Sequence, residues 1–312
     1  MADLKLNGVT PAGIGKIKLG STDVQKVYSG STLVWPISSP PGPCTGYLFA
    51  DKAELITAVN LWVSDEASAI ATYGQINTWC TGNVTDMSSL FSNKTTFNDD
   101  ISSWDVSNVT NMSSMFSGAS SFNQPLNNWD VSSVTDTFGM NGMFSYATSF
   151  NQDIGSWDVS NVINMYQMFR ATPFNQDIGN WDVSSVTNMS GMFISATAFT
   201  ISLNNWDVSS VTDMDFMFSG ASTFNGDVSS WDVSSVANMT YMFHNATSFN
   251  GDIGAWNVSS VTNMVRMFWN ASVFNKSLST WCVTNITSEP TAFSLNSPLT
   301  QANKPVWGTC PP

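Results

Sequence analysis

Tryptophan recurs along this chain at a nearly constant interval. Trp79, Trp104, Trp129, Trp157, Trp181, Trp206, Trp231, Trp256 and Trp281 are separated by 25, 25, 28, 24, 25, 25, 25 and 25 residues. Each opens a unit that reads WDVSSVTNMSxMFxxAxxFNxDIxx, nearly intact at 181–199 as WDVSSVTNMSGMFISATAF. A unit this short cannot bury its own Trp, Val, Met and Phe side chains, but stacked units can. The period therefore predicts a solenoid in which each coil contacts mainly the coils beside it. Three extra residues around Thr137-Phe138-Gly139 and one missing near Thr172-Pro173 explain the two irregular intervals, and both are expected in loops outside the packed ladder.

Within a unit, Val109, Met112, Met115, Phe116 and Ala119 fall at i, i+3, i+6, i+7 and i+10. That spacing suits one buried helical face, with Ser107 and Asn108 as N-caps, and predicts a short helix or tight helical turn. Phe122-Asn123-Gln124-Pro125-Leu126 and its counterpart Phe150-Asn151-Gln152-Asp153-Ile154 are five-residue runs with apolar ends, which suit one strand of a parallel ladder. The fold class expected is thus an α/β repeat. Strict repetition beside Val and Met makes the Trp column a buried spine rather than a sugar-stacking platform, because a ligand surface rarely needs one aromatic per coil.

Three polar columns accompany the spine. Asn98, Asn123, Asn151, Asn175, Asn225, Asn250 and Asn275, broken by Thr200, are expected to form a hydrogen-bonded ladder that satisfies turn backbone. Asp105, Asp130, Asp158, Asp182, Asp207 and Asp232 suit Asx turns onto the following Ser. Asp100, Asp153, Asp177, Asp227 and Asp252 form a third column, interrupted by Pro125, Ser202 and Ser277. Carboxylates stacked about 5 Å apart repel one another, so Ca²⁺ could bridge them, and solvent screening is the alternative. No other cofactor is expected.

Charge narrows the partners. Lys plus Arg is 10, Asp plus Glu is 23, and the net of -13 excludes nucleic acid, whose recognition needs clustered basic side chains. No apolar run approaches the roughly 20 residues that span a bilayer, so membrane insertion is not expected. Met1-Ala-Asp-Leu-Lys5 does not open a signal peptide. Residues 1–36 are different: Lys5, Lys16, Lys18 and Lys26 against Asp3 and Asp23 give them a net of 4 - 2 = +2.

Cys80 directly follows Trp79 and Cys282 directly follows Trp281, each replacing the Asp of a terminal W-D pair. They lie eight coils apart, beyond the roughly 7 Å reach of a disulfide, so each must pair outward if at all. Separations of 36 and 28 residues predict Cys44–Cys80 and Cys282–Cys310, with four free buried thiols as the alternative. Paired cysteines imply an oxidising environment.

The boundaries that follow are a β-rich module at 1–36, a Pro-rich linker at 37–46, a helical N-cap at 47–78, repeats at 79–281 and a C-terminal cap at 282–312. The N-cap should contain an amphipathic helix over Ala53–Val63 and a second over Glu66–Tyr73, stopped by Gly74. The C-terminal cap should run from Glu289-Pro290 into a Pro-rich strap through Cys310. Strands are expected at Leu4–Val9, Ile14–Leu19, Gln25–Tyr28 and Thr32–Trp35. A module of 36 residues is too small to stand alone and should dock or assemble in multiple copies, as a homo-oligomer or a multi-copy array.

The repeat resembles the BspA-like leucine-rich-repeat surface proteins, whose units read MFxxAxxFNQDIxxWDVSxVTNM, over about residues 47–285. That resemblance implies a leucine-rich-repeat-like solenoid of about eight to nine coils, cell-surface display and adhesion, and no catalytic residues. The run from Lys16 to Trp35, KIKLGSTDVQKVYSGSTLVW, is similar to short modules at the start of tailed-bacteriophage structural proteins. This second resemblance implies attachment of residues 1–36 to other virion proteins, and a place on the virion surface that becomes extracellular on lysis. The bacterial cell surface is the alternative location.

Chemistry has little to build on. His244 is the only histidine, and neither a Gly-rich phosphate loop nor a metal-spaced His/Cys cluster is present, so a non-enzymatic role is expected, with a glycan-active enzyme as the third reading. Function in a repeat protein is best sought where the repeat breaks. The variable sites flanking Met-Phe are mostly Ser or Gly, yet become Tyr166, Arg170, Phe216, Tyr241, His244, Arg266 and Trp269 in later coils. Helical geometry would place these on one outer surface. Their aromatic and Arg content is that of binding hot spots, for a host-surface glycan or protein. Neutral drift on an exposed face is the alternative.

Overall fold

The computed structural model describes residues 44–312 in full and, before them, the backbone pairing of residues 18–19, 22–23, 26–29 and 32–36. The chain divides into two compact units, Met1–Pro43 and Cys44–Pro312. In the first, β1 (Lys18–Leu19) pairs antiparallel with β2 (Thr22–Asp23), and β3 (Lys26–Ser29) with β4 (Thr32–Pro36), with a bulge between Val27 and Tyr28. The strand expected at Leu4–Val9 and linker residues 37–43 lie outside the described residues. Cys44 to Gly46, placed in the linker by composition, belong to the second unit.

The second unit opens with α1 (Lys52–Ser64) and α2 (Glu66–Tyr73). Asp51 starts α1 because its carboxylate accepts from the Glu54 amide at 3.0 Å, while Glu54 reaches back to the Ala50 amide at 2.8 Å. Leu55, Ala58, Val59 and Trp62 then recur at one face and are buried. Gly74, at φ 77°, ends α2 as expected. Below these helices, Trp62 meets the Trp79 ring edge-on at 5.7 Å.

From Trp79 onward the units contain neither the expected helix nor the expected strand. Consecutive three-residue turns replace the helix, and they explain why the spacing looked helical. Met115 donates to Met112, Ser117 to Ser114 and Ala119 to Phe116, at 3.2, 3.1 and 3.0 Å. Steps of three turn Val109, Met112 and Met115 inward, and Phe116 with Ala119 three residues on, just as a helical face would. The α-helix is lost because every second amide leaves its own coil. In the coil opened by Trp206, Met214, Phe216, Phe218 and Gly220 donate to Asn238, Thr240, Met242 and His244 of the next, at 3.1, 2.8, 2.9 and 2.7 Å. Turning alternate amides outward requires a left-handed residue at two places per coil, filled here by Phe216 (φ 55°) and Gly220 (φ 73°).

The parallel contact also lies elsewhere than expected. Isolated parallel bridges join Asn164, Asn188, Asp213, Asn238 and Asn263 in succession, just before each Met, whereas the Phe-Asn-Gln-Asp-Ile segments form no strand. The three-residue insertion enters this ladder as well. Phe138 projects, at 58% exposed, but the Gly139 carbonyl accepts the Met112 amide at 3.0 Å and resumes the register. In the short unit, Thr172 takes the buried place of Ala and turns its hydroxyl onto the Phe169 carbonyl at 2.9 Å.

Side chains stack layer on layer beneath this backbone. Phe193 stacks on Phe199 of its own coil at 4.1 Å and on Phe218 of the next at 5.5 Å, only 3° from parallel. Every repeat Trp is at most 4% exposed. At the C-terminal end, Arg266, Phe268 and Asn270 donate to Thr291, Phe293 and Leu295, so the cap supplies the carbonyls that a further coil would have offered.

The cysteines pair as the spacing predicted: Cys44 with Cys80, Cα atoms 5.7 Å apart, and Cys282 with Cys310 at 4.0 Å. Cys80 also bonds through its backbone to Tyr47 and Phe49 at 2.8 and 3.1 Å, and Val283 donates to Thr309 at 2.8 Å. Among the described residues no helix is long and apolar enough to cross a membrane.

Candidate functional site

The turns that carry Met and Phe inward leave their intervening residues on the outer arc of each coil, in columns set by the inter-coil ladder. Phe216, Tyr241 and Arg266 occupy one column, each in the left-handed conformation at φ 55°, 58° and 57°. Ser219, His244 and Trp269 occupy the column three residues on. Phe216 stacks on Tyr241 at 4.6 Å and 11°, and the Arg266 guanidinium lies over both the Tyr241 and Trp269 rings at 5.4 and 5.0 Å. His244 packs against Trp269 at 4.8 Å and meets Tyr241 edge-on at 5.2 Å. Arg266 also donates to the Tyr241 hydroxyl. Cation–π contacts of this kind are worth about 0.5–2 kcal/mol, depending on desolvation.

Five of the seven residues singled out in the sequence therefore form one cluster across three coils. Tyr166 and Arg170 stand apart from it. Arg170 lies over the Tyr146 ring at 4.9 Å and bonds Gln167 at 3.1 Å. Tyr146 was missed by the sequence reading because it sits just before the Ala position, outside the sites flanking Met-Phe that were compared. It is 47% exposed. The common surface arises from stacked turns rather than from helical geometry.

Burial, and then the nearby Arg266 charge, push the His244 imidazole below its ordinary value, so it is neutral at pH 7. Its Nδ1 lies 3.0 Å from the Ser219 hydroxyl. Among the described residues no carboxylate bonds the other ring nitrogen, so the third member of a Ser-His-Asp arrangement does not appear. Asp215, beside Phe216 in sequence, accepts from the Ser190 hydroxyl, and burial holds its carboxyl above the usual carboxylate range, with the Asp213 charge adding to the effect.

The other columns are structural. Trp104, Trp129, Trp157, Trp181, Trp206, Trp231, Trp256 and Trp281 each donate the indole N–H to the carbonyl three residues before the previous repeat Trp, and Trp79 donates to Gly74. Asn98 Oδ1 accepts the Asn123 amide at 2.8 Å, and the relation repeats through Asn151, Asn175 and Thr200, then from Asn225 through Asn250 and Asn275 to Thr300. Asp105, Asp130, Asp158, Asp182 and Asp207 accept both the amide and the hydroxyl of the Ser two residues on, and Asp232 accepts the Ser234 amide. Asp100, Asp153, Asp177, Asp227 and Asp252 each accept an amide two residues on as well. Among the described residues no three His, Cys, Asp or Glu side chains converge on a metal-sized site. A groove of about 830 Å³ near Cys282 is lined by Asp252, Asn257, Ser277 and Thr280 together with Ala255 and Trp256 of the repeat itself.

A chain built from about 25-residue units, each bonded to its neighbours and closed by a disulfide at both ends, is a repeat protein. It belongs to the family described as "Mycoplasma protein of unknown function, DUF285", which matches residues 62–169, 137–214 and 199–305. No curated protein and no solved structure matches it.

Proposed function

We propose that this chain is a non-enzymatic display protein of a bacteriophage particle: a leucine-rich-repeat-like solenoid presenting a recognition surface to the host cell. Residues 1–36 attach it to other virion proteins, in several copies, and the phage-like KLGSTDVQKVYSGSTLVW run supports that attachment. The observation that carries the recognition role is the packing of Phe216, Tyr241, His244, Arg266 and Trp269 into one surface cluster, in columns that the earlier coils fill mostly with Ser or Gly. Aromatic and Arg side chains held rigid by one another lose little freedom on binding, which is why such groups dominate recognition energies. Two disulfides and disulfide-closed ends suit life outside the reducing cytoplasm.

Mass spectrometry of purified particles tests this reading. Recovery of the chain in particles at a fixed ratio to the other structural proteins supports it. Recovery only in the bacterial envelope fraction supports instead a cell-surface adhesin of BspA-like type, the second reading, favoured by the family description naming a Mycoplasma protein.

A further inference from the structure

Polar atoms in the cluster are unbalanced. Arg266 Nε and Trp269 Nε1 are buried and find no acceptor. The Tyr241 hydroxyl already accepts from Arg266, which leaves its own proton to donate. Arg266, Tyr241 and Trp269 thus bring N–H and O–H donors to one place with no carboxylate among them, in a chain that carries 23 acidic residues. Among the described residues the salt bridges are Lys52–Asp86 and Lys304–Glu289, so the Arg266 charge has no ionic partner. Asp215, the acidic neighbour in sequence, is engaged by Ser190.

Elsewhere the repeat satisfies its buried donors systematically. All nine repeat indoles reach a carbonyl, whereas those of Trp269 and of Trp307 in the C-terminal cap do not; only Trp269 has an unpaired guanidinium beside it. A buried donor left without an acceptor is destabilising, and more so when it is charged. The column of Arg266 continues as Ala292, which is too small to cover the guanidinium.

We infer that Tyr241, Arg266 and Trp269 bind an anionic group, a carboxylate or phosphate ester, carried on an acidic cell-surface polysaccharide. The polysaccharide rests on the display reading above; the negative charge rests on the donor imbalance. A guanidinium presents paired N–H groups that match both oxyanions, and rotation of the Trp269 indole toward solvent would add a further donor.

Full-length protein tested by surface plasmon resonance on three immobilised polymers separates the possibilities: polygalacturonate for carboxylate, poly(glycerol phosphate) for phosphate ester, and uncharged dextran. Binding is expected to one or both acidic polymers and not to dextran. Arg266→Met should weaken it about tenfold or more, as loss of one charge-assisted contact implies. Arg170→Met, on the separate Tyr146 contact, should leave it unchanged, and Tyr241→Phe should weaken it while keeping the ring stack. Which acidic polymer binds identifies the source. Failure of both acidic polymers, equal binding to dextran, or full binding by Arg266→Met overturns the inference. If intact host cells still bind the wild type in that case, the display reading stands without it; if they do not, that reading falls too.

Discussion

The Trp231 indole donates to the backbone carbonyl of Leu203, 28 residues earlier, at 2.8 Å. The same bond links each successive pair of coils, so the residue that fills the core also fixes the register between layers.

Trp231→Phe should therefore lose more than volume. The smaller ring leaves a void and strands the Leu203 carbonyl, for an expected loss of about 2–4 kcal/mol. Guanidinium chloride unfolding measures it, and a loss under about 0.5 kcal/mol would show that the indole bond contributes nothing.

The Asn ladder makes a sharper contrast. Asn250 Oδ1 accepts the Asn275 amide at 3.2 Å while its own amide donates to Asn225 at 2.9 Å. Asn250→Asp keeps an acceptor and should change stability little. Asn250→Ala removes it and should cost about 1–2 kcal/mol. Equal stability of the two variants by thermal unfolding would contradict the ladder.

Cys282→Ser with Cys310→Ser should cost about 3–4 kcal/mol on a chain-entropy estimate. Because each coil is supported by its neighbours, limited proteolysis of this variant should begin in the C-terminal strap and final coils. First cleavage among the central coils would count against the cap.

These features differ in how legible they were in the sequence. The period, the buried Trp spine, the cysteine pairing and both cap helices were readable, because each rests on spacing or on a local capping signal. The conformation of the Met-Phe segment was not. Its buried positions at i, i+3 and i+6 fit a helix and a run of three-residue turns equally well, and what decides is the neighbouring coil that takes the alternate amides. No property of Phe216 or Tyr241 alone announces a left-handed backbone. The aromatic cluster was visible as departures from Ser and Gly, but Tyr166 could be separated from Tyr241 only once the columns were known.

Acid should weaken the fold through named groups. Ser209 and Ser234, through hydroxyl and amide, hold the Asp207 and Asp232 carboxyls below the usual range. Their contribution is present above the ordinary carboxylate value and is lost as pH falls through the lowered one. The His244 value is also lowered, so below about pH 6.5 the unfolded chain takes up that proton first and stability drops. Asp215, raised by burial, works in the opposite direction. The melting temperature should decline from about pH 6.5 downward, and His244→Gln should remove the upper part of that decline. An identical profile for the variant would exclude His244.

Calcium should not matter to stability. The carboxylates of the third Asp column each cap an amide two residues on, and no three converge. The melting temperature should be the same in EDTA and in millimolar Ca²⁺, and a rise of several degrees with Ca²⁺ would show that the column binds it.

Alternate amides of each arc are spent on the next coil, which leaves the outer surface of the arc to the side chains. Hydrogen exchange followed residue by residue tests it directly. The amides of Met214, Phe216, Phe218 and Gly220, which donate to the following coil, should exchange among the slowest in the chain. The Ser209 amide, held only by the exposed Asp207 carboxylate, should exchange orders of magnitude faster. Comparable rates for the two sets would contradict the inter-coil ladder and the surface built on it.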